Sequence, residues 1–143
     1  MLSIENLIRG VAEKMGGRLE ADEGFYHLTV PVIGEDDEEV DPDHTQTATL
    51  YAEGEAEELL MVYCEAGAYT EEVDLEYILR GLKDAAFARV FITTGEEDDE
   101  PDGLAVEAAL LREGLGVEHL AEVVQEVVNV ADFVEDVIEG GAA

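Results

Sequence analysis

The chain has 143 residues, 47% of them hydrophobic, and its 37 Asp and Glu against seven Lys and Arg give a formal net charge of −30. Such a length buries about two-thirds of the unfolded surface, enough for a core without staples, and the apolar fraction excludes a disordered acidic tail. Seven basic residues cannot build the positive footprint that nucleic acid or an anionic membrane surface requires, so both are excluded as partners.

Uncompensated negative charges repel one another and oppose compaction unless salt screens them, and the screening length falls to about 3 Å near 1 M. With Lys14 and Lys83 as its only lysines, the composition resembles that of halophile proteins, and adaptation to high salt is expected. Cys64 stands alone, which excludes an internal disulfide and fits a reducing cytosol. The opening MLSIENLIRG lacks the basic and then apolar residues of an export signal, and no apolar run approaches the roughly 18 residues of a membrane span. A soluble, cytoplasmic protein is expected.

In chain order, Ile4, Leu7, Ile8, Val11 and Met15 recur at helical spacing, with Ser3 placed to cap and Gly16-Gly17 to stop the first helix. FYHLTVPVI then alternates, and Pro31 lacks the ladder donor of an inner strand, so an edge strand or one ending in a bulge is expected. The acidic loop GEDDEEVDPDH leads to TQTATLYA and, across EGEAEE, to LLMVYCEA, a hairpin of two strands. TEEVDLEYILRGLKDAAF returns to helical period through Leu75, Ile78, Leu79, Leu82 and Ala86, with acids in the first turn and Lys83 near the end, a polarity that complements the helix dipole. ARVFITT and GLAVEAALLR read as two more strands. The segment from Val117 to Ile138 reads as a helix of about six turns. The predicted order is α-β-β-β-α-β-β-α, one α+β domain over residues 1–143 with helices on one face of a five-stranded antiparallel sheet.

TTGEEDDEPDG, residues 93 to 103, is the stretch most like a metal cage, because Asp98, Glu100 and Asp102 alternate before Gly103 as oxygens do at the start of a calcium loop. The closing carboxylate would fall at Ala109, Pro101 interrupts the loop, and strands flank it where helices belong, so it reads as a hairpin tip. Asp41, Asp43 and His44 bring too few ligands for a tight ion site, and neither His27 nor His119 has the spacing of a zinc helix. Ser3, the sole serine, serves as a cap, and Cys64 alternates with Leu60 and Val62 as a core residue would. No phosphate-binding glycine loop is present. No catalytic, cofactor or metal site is therefore assigned.

If Leu60, Val62 and Cys64 face the helices, then Leu59, Met61 and Tyr63 face away, with Tyr51 from the neighbouring strand and Phe91 and Leu111 from the last two. A patch of that size marks a partner surface. The apolar arc of the final helix, with Val130, Phe133 and Val137 at one margin, is wider than the 100° or so that one contact needs, so a further contact is expected there.

The element order resembles the type III secretion chaperone-like fold, including the YbjN family, most closely where GLAVEAALLREG looks like that family's closing strand and GVEHLAEVVQEVVNVADFVEDVI like its terminal helix. The resemblance implies a small acidic protein, commonly a dimer, that holds an extended or partly unfolded segment of another protein, with a regulatory role in the YbjN branch and no catalytic residues. A non-enzymatic, homodimeric protein-binding module is the expectation, binding itself and a client polypeptide. An acidic divalent-cation-binding protein is the alternative, and an enzyme comes third.

Overall fold

The computed structural model describes residues 3–33 and 40–140, residues 40–42 by their backbone alone. Three helices and a six-stranded, wholly antiparallel sheet follow in the order α1 (Ile4–Met15), β1 (Arg18–Asp22), β2 (Phe25–Ile33), β3 (Val40–Glu53), β4 (Leu59–Ala68), α2 (Leu75–Gly81), β5 (Arg89–Thr93), β6 (Gly103–Leu111) and α3 (Val117–Ile138). In space the strands run β1-β2-β3-β4-β6-β5. The fold is α+β, as the period of the sequence predicts, but it has one strand more than predicted.

The extra strand is β1, and the chain reaches it directly from the first helix. Ser3 Oγ accepts from the Asn6 amide at 3.1 Å, and Gly16 takes the left-handed conformation at φ 65° that ends α1. Arg18–Asp22 then pairs antiparallel with Phe25–Thr29 across a two-residue turn, Glu23-Gly24, in which both residues have positive φ. That is the backbone demanded of a tight hairpin, but it is usually announced by Asn-Gly or Asp-Gly. A glutamate in the first turn position, and a strand in which only Leu19 is even partly buried, hid β1 in the sequence. Of the two readings of β2, the edge strand is overturned because β1 flanks it, and the strand ending in an irregularity of register is the one found. Pro31 is tolerated there because pairing with β1 ends at Thr29, opposite Arg18, and the register with β3 shifts between Pro31 and Ile33.

The second correction concerns α2, predicted to run far longer. Asp74 accepts from the Tyr77 amide at 3.0 Å and starts it, but only Leu75–Gly81 is helical and Ile78 is its one buried residue. Leu79, expected in its apolar stripe, is 54% exposed. The turn that replaces the last predicted helical turns is held by α3: Glu126 Oε1 accepts from the Ala86 amide at 2.8 Å, and Oε2 from those of Phe87 and Ala88 at 2.7 Å each. One carboxylate thus satisfies three backbone donors that an α-helix would have satisfied internally.

The helices lie on one face of the sheet. Leu28, Val30, Leu50, Leu60, Val62 and Val106 meet Val123, Val124, Val127, Ala131 and Val134 of α3, all fully buried in one cluster to which α1 adds Leu7, Ile8 and Val11. α3 is flanked by α1 and α2 within its own chain. Its wide apolar arc is explained there: Val137 is 6% exposed, and Phe133 packs on Gly81 and Tyr77, with ring centroids 5.8 Å apart and so little room that a Cβ at Gly81 would lie 2.5 Å from Phe133 Cζ. These two residues, expected at a partner surface, are occupied by the chain itself.

Candidate partner-binding face

No described element covers the face of the sheet turned away from the helices. Antiparallel register lines its side chains up in rows, since residues opposite each other share a face. One row is Glu53, Leu59 and Leu111; the next is Tyr51, Met61 and Ala109; a third is Thr49, Tyr63, Glu107 and Arg89; and Phe91 lies opposite Ala105 beyond it. Phe25 joins from β2, its ring centroid 5.5 Å from that of Tyr51, while Tyr63 and Phe91 are 6.2 Å apart. The six sheet residues expected from alternation, Tyr51, Leu59, Met61, Tyr63, Phe91 and Leu111, are therefore together on one face, away from the helices.

Their exposure differs. Leu111 is 68% and Phe25 47% exposed, Tyr51, Leu59, Tyr63 and Phe91 are half-buried by one another, and Met61, in the middle row, is covered at 6%. Met61 thus supports the patch from beneath and offers little surface. Toward β2 the face turns polar, with His27 Nδ1 and Thr49 Oγ1 3.0 Å apart and the hydroxyls of Thr29 and Thr47 joined at 2.8 Å.

An ion pair crosses this apolar surface. Glu107, on the penultimate strand in space, is 7% exposed; Arg89 reaches over from edge strand β5, its Nε donating to Glu107 Oε1 at 3.0 Å and its Nη2 to the same oxygen. The Arg89 side chain is 71% exposed against 10% for Glu107, and its guanidinium carbon sits 5.6 Å from the centre of the Phe91 ring. Burial, together with the charges of Glu107 and Glu53, raises the Tyr51 hydroxyl above the usual phenolic range, and burial and Glu65 do the same to Tyr63. Both rings therefore remain neutral hydroxyls at physiological pH. Period puts Ala105, Glu107 and Ala109 opposite in face to Leu104, Val106 and Ala108, but an acid among so many draws no notice in sequence, and its pairing with Arg89 was missed.

A second group of exposed apolar side chains lies on the helix side: Tyr77 and Leu79 of α2 at 45% and 54%, and Phe87 after it at 39%. Their exposure follows from the shortness of α2, which sequence periodicity overestimated.

The remaining candidates find ordinary roles. The 93 to 103 stretch is the β5–β6 connection: Asp102 Oδ1 accepts from the Gly95 amide at 3.1 Å, and the Asp102 carbonyl from Tyr69 at 2.7 Å. Among the described residues no group of three or more His, Cys, Asp or Glu is disposed to hold a metal ion. Of the earlier loop, the Asp41 side chain lies outside the described residues, while His44 Nε2 and Asp132 Oδ1 are 2.6 Å apart, which ties β3 to α3. Gln46 extends this link, its Nε2 donating to Asp132 Oδ1 and Glu135 Oε2 at 3.3 Å each. His119 stands edge-on to Phe87 at 5.3 Å. Burial pushes the Cys64 thiol up to about 12, with Glu135, Glu65 and Asp132 adding to the effect, so it is not a nucleophile at neutral pH. No described helix is long and apolar enough to cross a membrane.

No family model and no curated protein sequence matches the chain. Its fold matches those of solved structures. The type III secretion chaperone SycH of Yersinia pestis, in complex with a stable fragment of YscM2, superposes with a TM-score of 0.56 at 19% identity over 92% of this chain and 99% of that one. YbjN of E. coli, a proposed transcription regulator, gives a TM-score of 0.57 at 15% identity over 94% of this chain and 89% of that one. The chain therefore has the fold shared by a type III secretion chaperone and YbjN, as its element order implied.

Proposed function

We propose that this chain is a non-enzymatic, cytoplasmic protein-binding module that holds a segment of a partner polypeptide on the open face of its sheet and works as a homodimer in concentrated salt. The observation that carries this reading is the row-by-row register that leaves Phe25, Tyr51, Leu59, Tyr63, Phe91 and Leu111 contiguous and uncovered by any described element. Half-buried aromatic rings beside exposed leucine are the composition of a binding patch rather than of a solvated sheet. SycH, of like fold, carries a fragment of another protein. Tyr77, Leu79 and Phe87 supply a separate apolar surface for self-association. Hydrophobic contact keeps its strength in molar salt while charge steering is screened, which suits a chain of net charge −30.

The test is protection of a thermally unfolding model protein against aggregation in molar KCl. Wild type should suppress the light scattering of the unfolding protein, and the double variant Tyr63→Ser with Leu111→Ser should lose that activity while keeping its circular dichroism spectrum. No suppression by wild type, or equal suppression by the variant, would rule the open face out.

A further inference from the structure

The charge in the middle of the open face specifies what can lie on it. Glu107 is almost wholly buried among Tyr63, Ala105, Ala109 and the Phe91 side of the sheet, yet among the described residues its charge is met by Arg89, whose own side chain stays 71% exposed. Arg89 comes from the outermost strand and reaches inward across the row. Any polypeptide laid over Tyr63 and Phe91 must therefore either bury the Arg89 guanidinium as well or push it aside toward the edge. A carboxylate left alone beneath an apolar segment is strongly unfavourable, whereas a second cation placed against it restores the pair and adds a charge-assisted bond.

We propose that the open face selects an extended partner segment in which a Lys or Arg stands among apolar residues, the cation seating against Glu107 in place of, or beside, Arg89. This deepens the protein-binding reading and rests on it. The occupant is argued from charge: the chain carries 37 acidic residues against seven basic, so a second copy would bring the same buried acid and the same negative field to this face, and a segment bearing a cation brings their complement. The apolar surroundings give the contact its strength, since Glu107 is screened little by solvent, and they give it specificity, because a neutral or acidic residue in that place leaves Glu107 paired only by a displaced arginine.

The experiment uses three short extended peptides of alternating Val and Thr, identical except for Lys, Gln or Glu at one central position, titrated by fluorescence anisotropy in molar KCl to remove long-range attraction. The Lys peptide should bind about tenfold tighter than the Gln peptide, with the Glu peptide weakest. Glu107→Gln should abolish that ranking. Arg89→Ala, which leaves Glu107 in place and unpaired, should strengthen the Lys peptide and widen the ratio to about a hundredfold, a gain that misfolding cannot produce. Equal binding of Lys and Gln peptides by wild type would overturn the cation preference and leave the apolar face standing. A preference that survives Glu107→Gln would assign it to the general field and overturn the role of Glu107. Failure of every peptide to bind would remove the open-face reading with it. A dimer that Leu111→Asp dissociates would show the occupant to be a second copy, and would also overturn the proposal.

Discussion

The two faces of this sheet are built from the same strands and nearly the same residue types, and they are used in opposite ways. On one, Leu60, Val62 and Val106 are sealed beneath α3, which spans the sheet with α1 at its side. On the other, Leu59, Tyr63 and Leu111, an odd number of positions away in the same strands, have no described element above them. Apolar content in a strand therefore fixes neither burial nor stability; the layer that covers it does. The covered face is where the chain holds itself together, and the open face is where we place its partner.

The sharpest way to break this comparison is to truncate equivalent side chains on the two faces. Leu60→Ala should cost about 2–5 kcal/mol, because the cavity under α3 cannot close, read from urea denaturation in molar KCl. A loss below about 1 kcal/mol would mean that α3 does not seal this face as tightly as Leu60, fully buried, indicates.

A second measurement reads the dryness of the covered face through pH. Burial pushes the Cys64 thiol from 9.0 up to about 12, so the folded chain keeps its proton over a range in which the unfolded chain gives it up. The stability this represents is whole below pH 9 and is lost as the pH rises toward 12, at roughly 1.4 kcal/mol per pH unit within that window. Tyr51 and Tyr63, also raised, add a loss in the same direction, so the readout is the difference between wild type and Cys64→Ala. The variant should fall less steeply above pH 9, and parallel curves would show that water reaches the thiol.

Smaller again is the clamp that binds the helix layer to the sheet edge. Glu126→Gln keeps the shape but removes the charge from an acceptor of three amides, and should cost about 1 kcal/mol with faster hydrogen exchange confined to residues 86–88. Exchange that rises across the whole chain would mark Glu126 as part of the global core instead.

How much of this was legible follows from where local rules decide. α1 and α3 were readable to within a residue because cap, period and stop agree, and alternation in LLMVYCEA separated the two faces of β4 and put Leu111 of β6 on the outer one. β1 was not, since its turn carries Glu23 where asparagine or aspartate would announce it, and its burial is slight. α2 was overextended because Leu82 and Ala86 continue the period, while the choice to stop is made by a carboxylate 40 residues further on. Phe133 looked free because nothing local to α3 says that Gly81 and Tyr77 will meet it. Glu107 was hidden for a different reason: among 37 acids, only a cross-strand register singles out the one that is dry.

The smallest effect on stability belongs to a residue whose loss should be felt in binding. Leu111 is 68% exposed, so Leu111→Ala removes little buried surface and should change stability by no more than about 0.5 kcal/mol. If the open face holds a polypeptide, the same change deletes a side chain from the rim of the patch in the row of Leu59, and protection of an unfolding protein should drop severalfold. Stability and binding then separate, Leu60 moving the first and Leu111 the second. Should Leu111→Ala instead unfold the chain as readily as Leu60→Ala, the outer face is already covered within the free protein, and the distinction between a face that folds and a face that binds disappears.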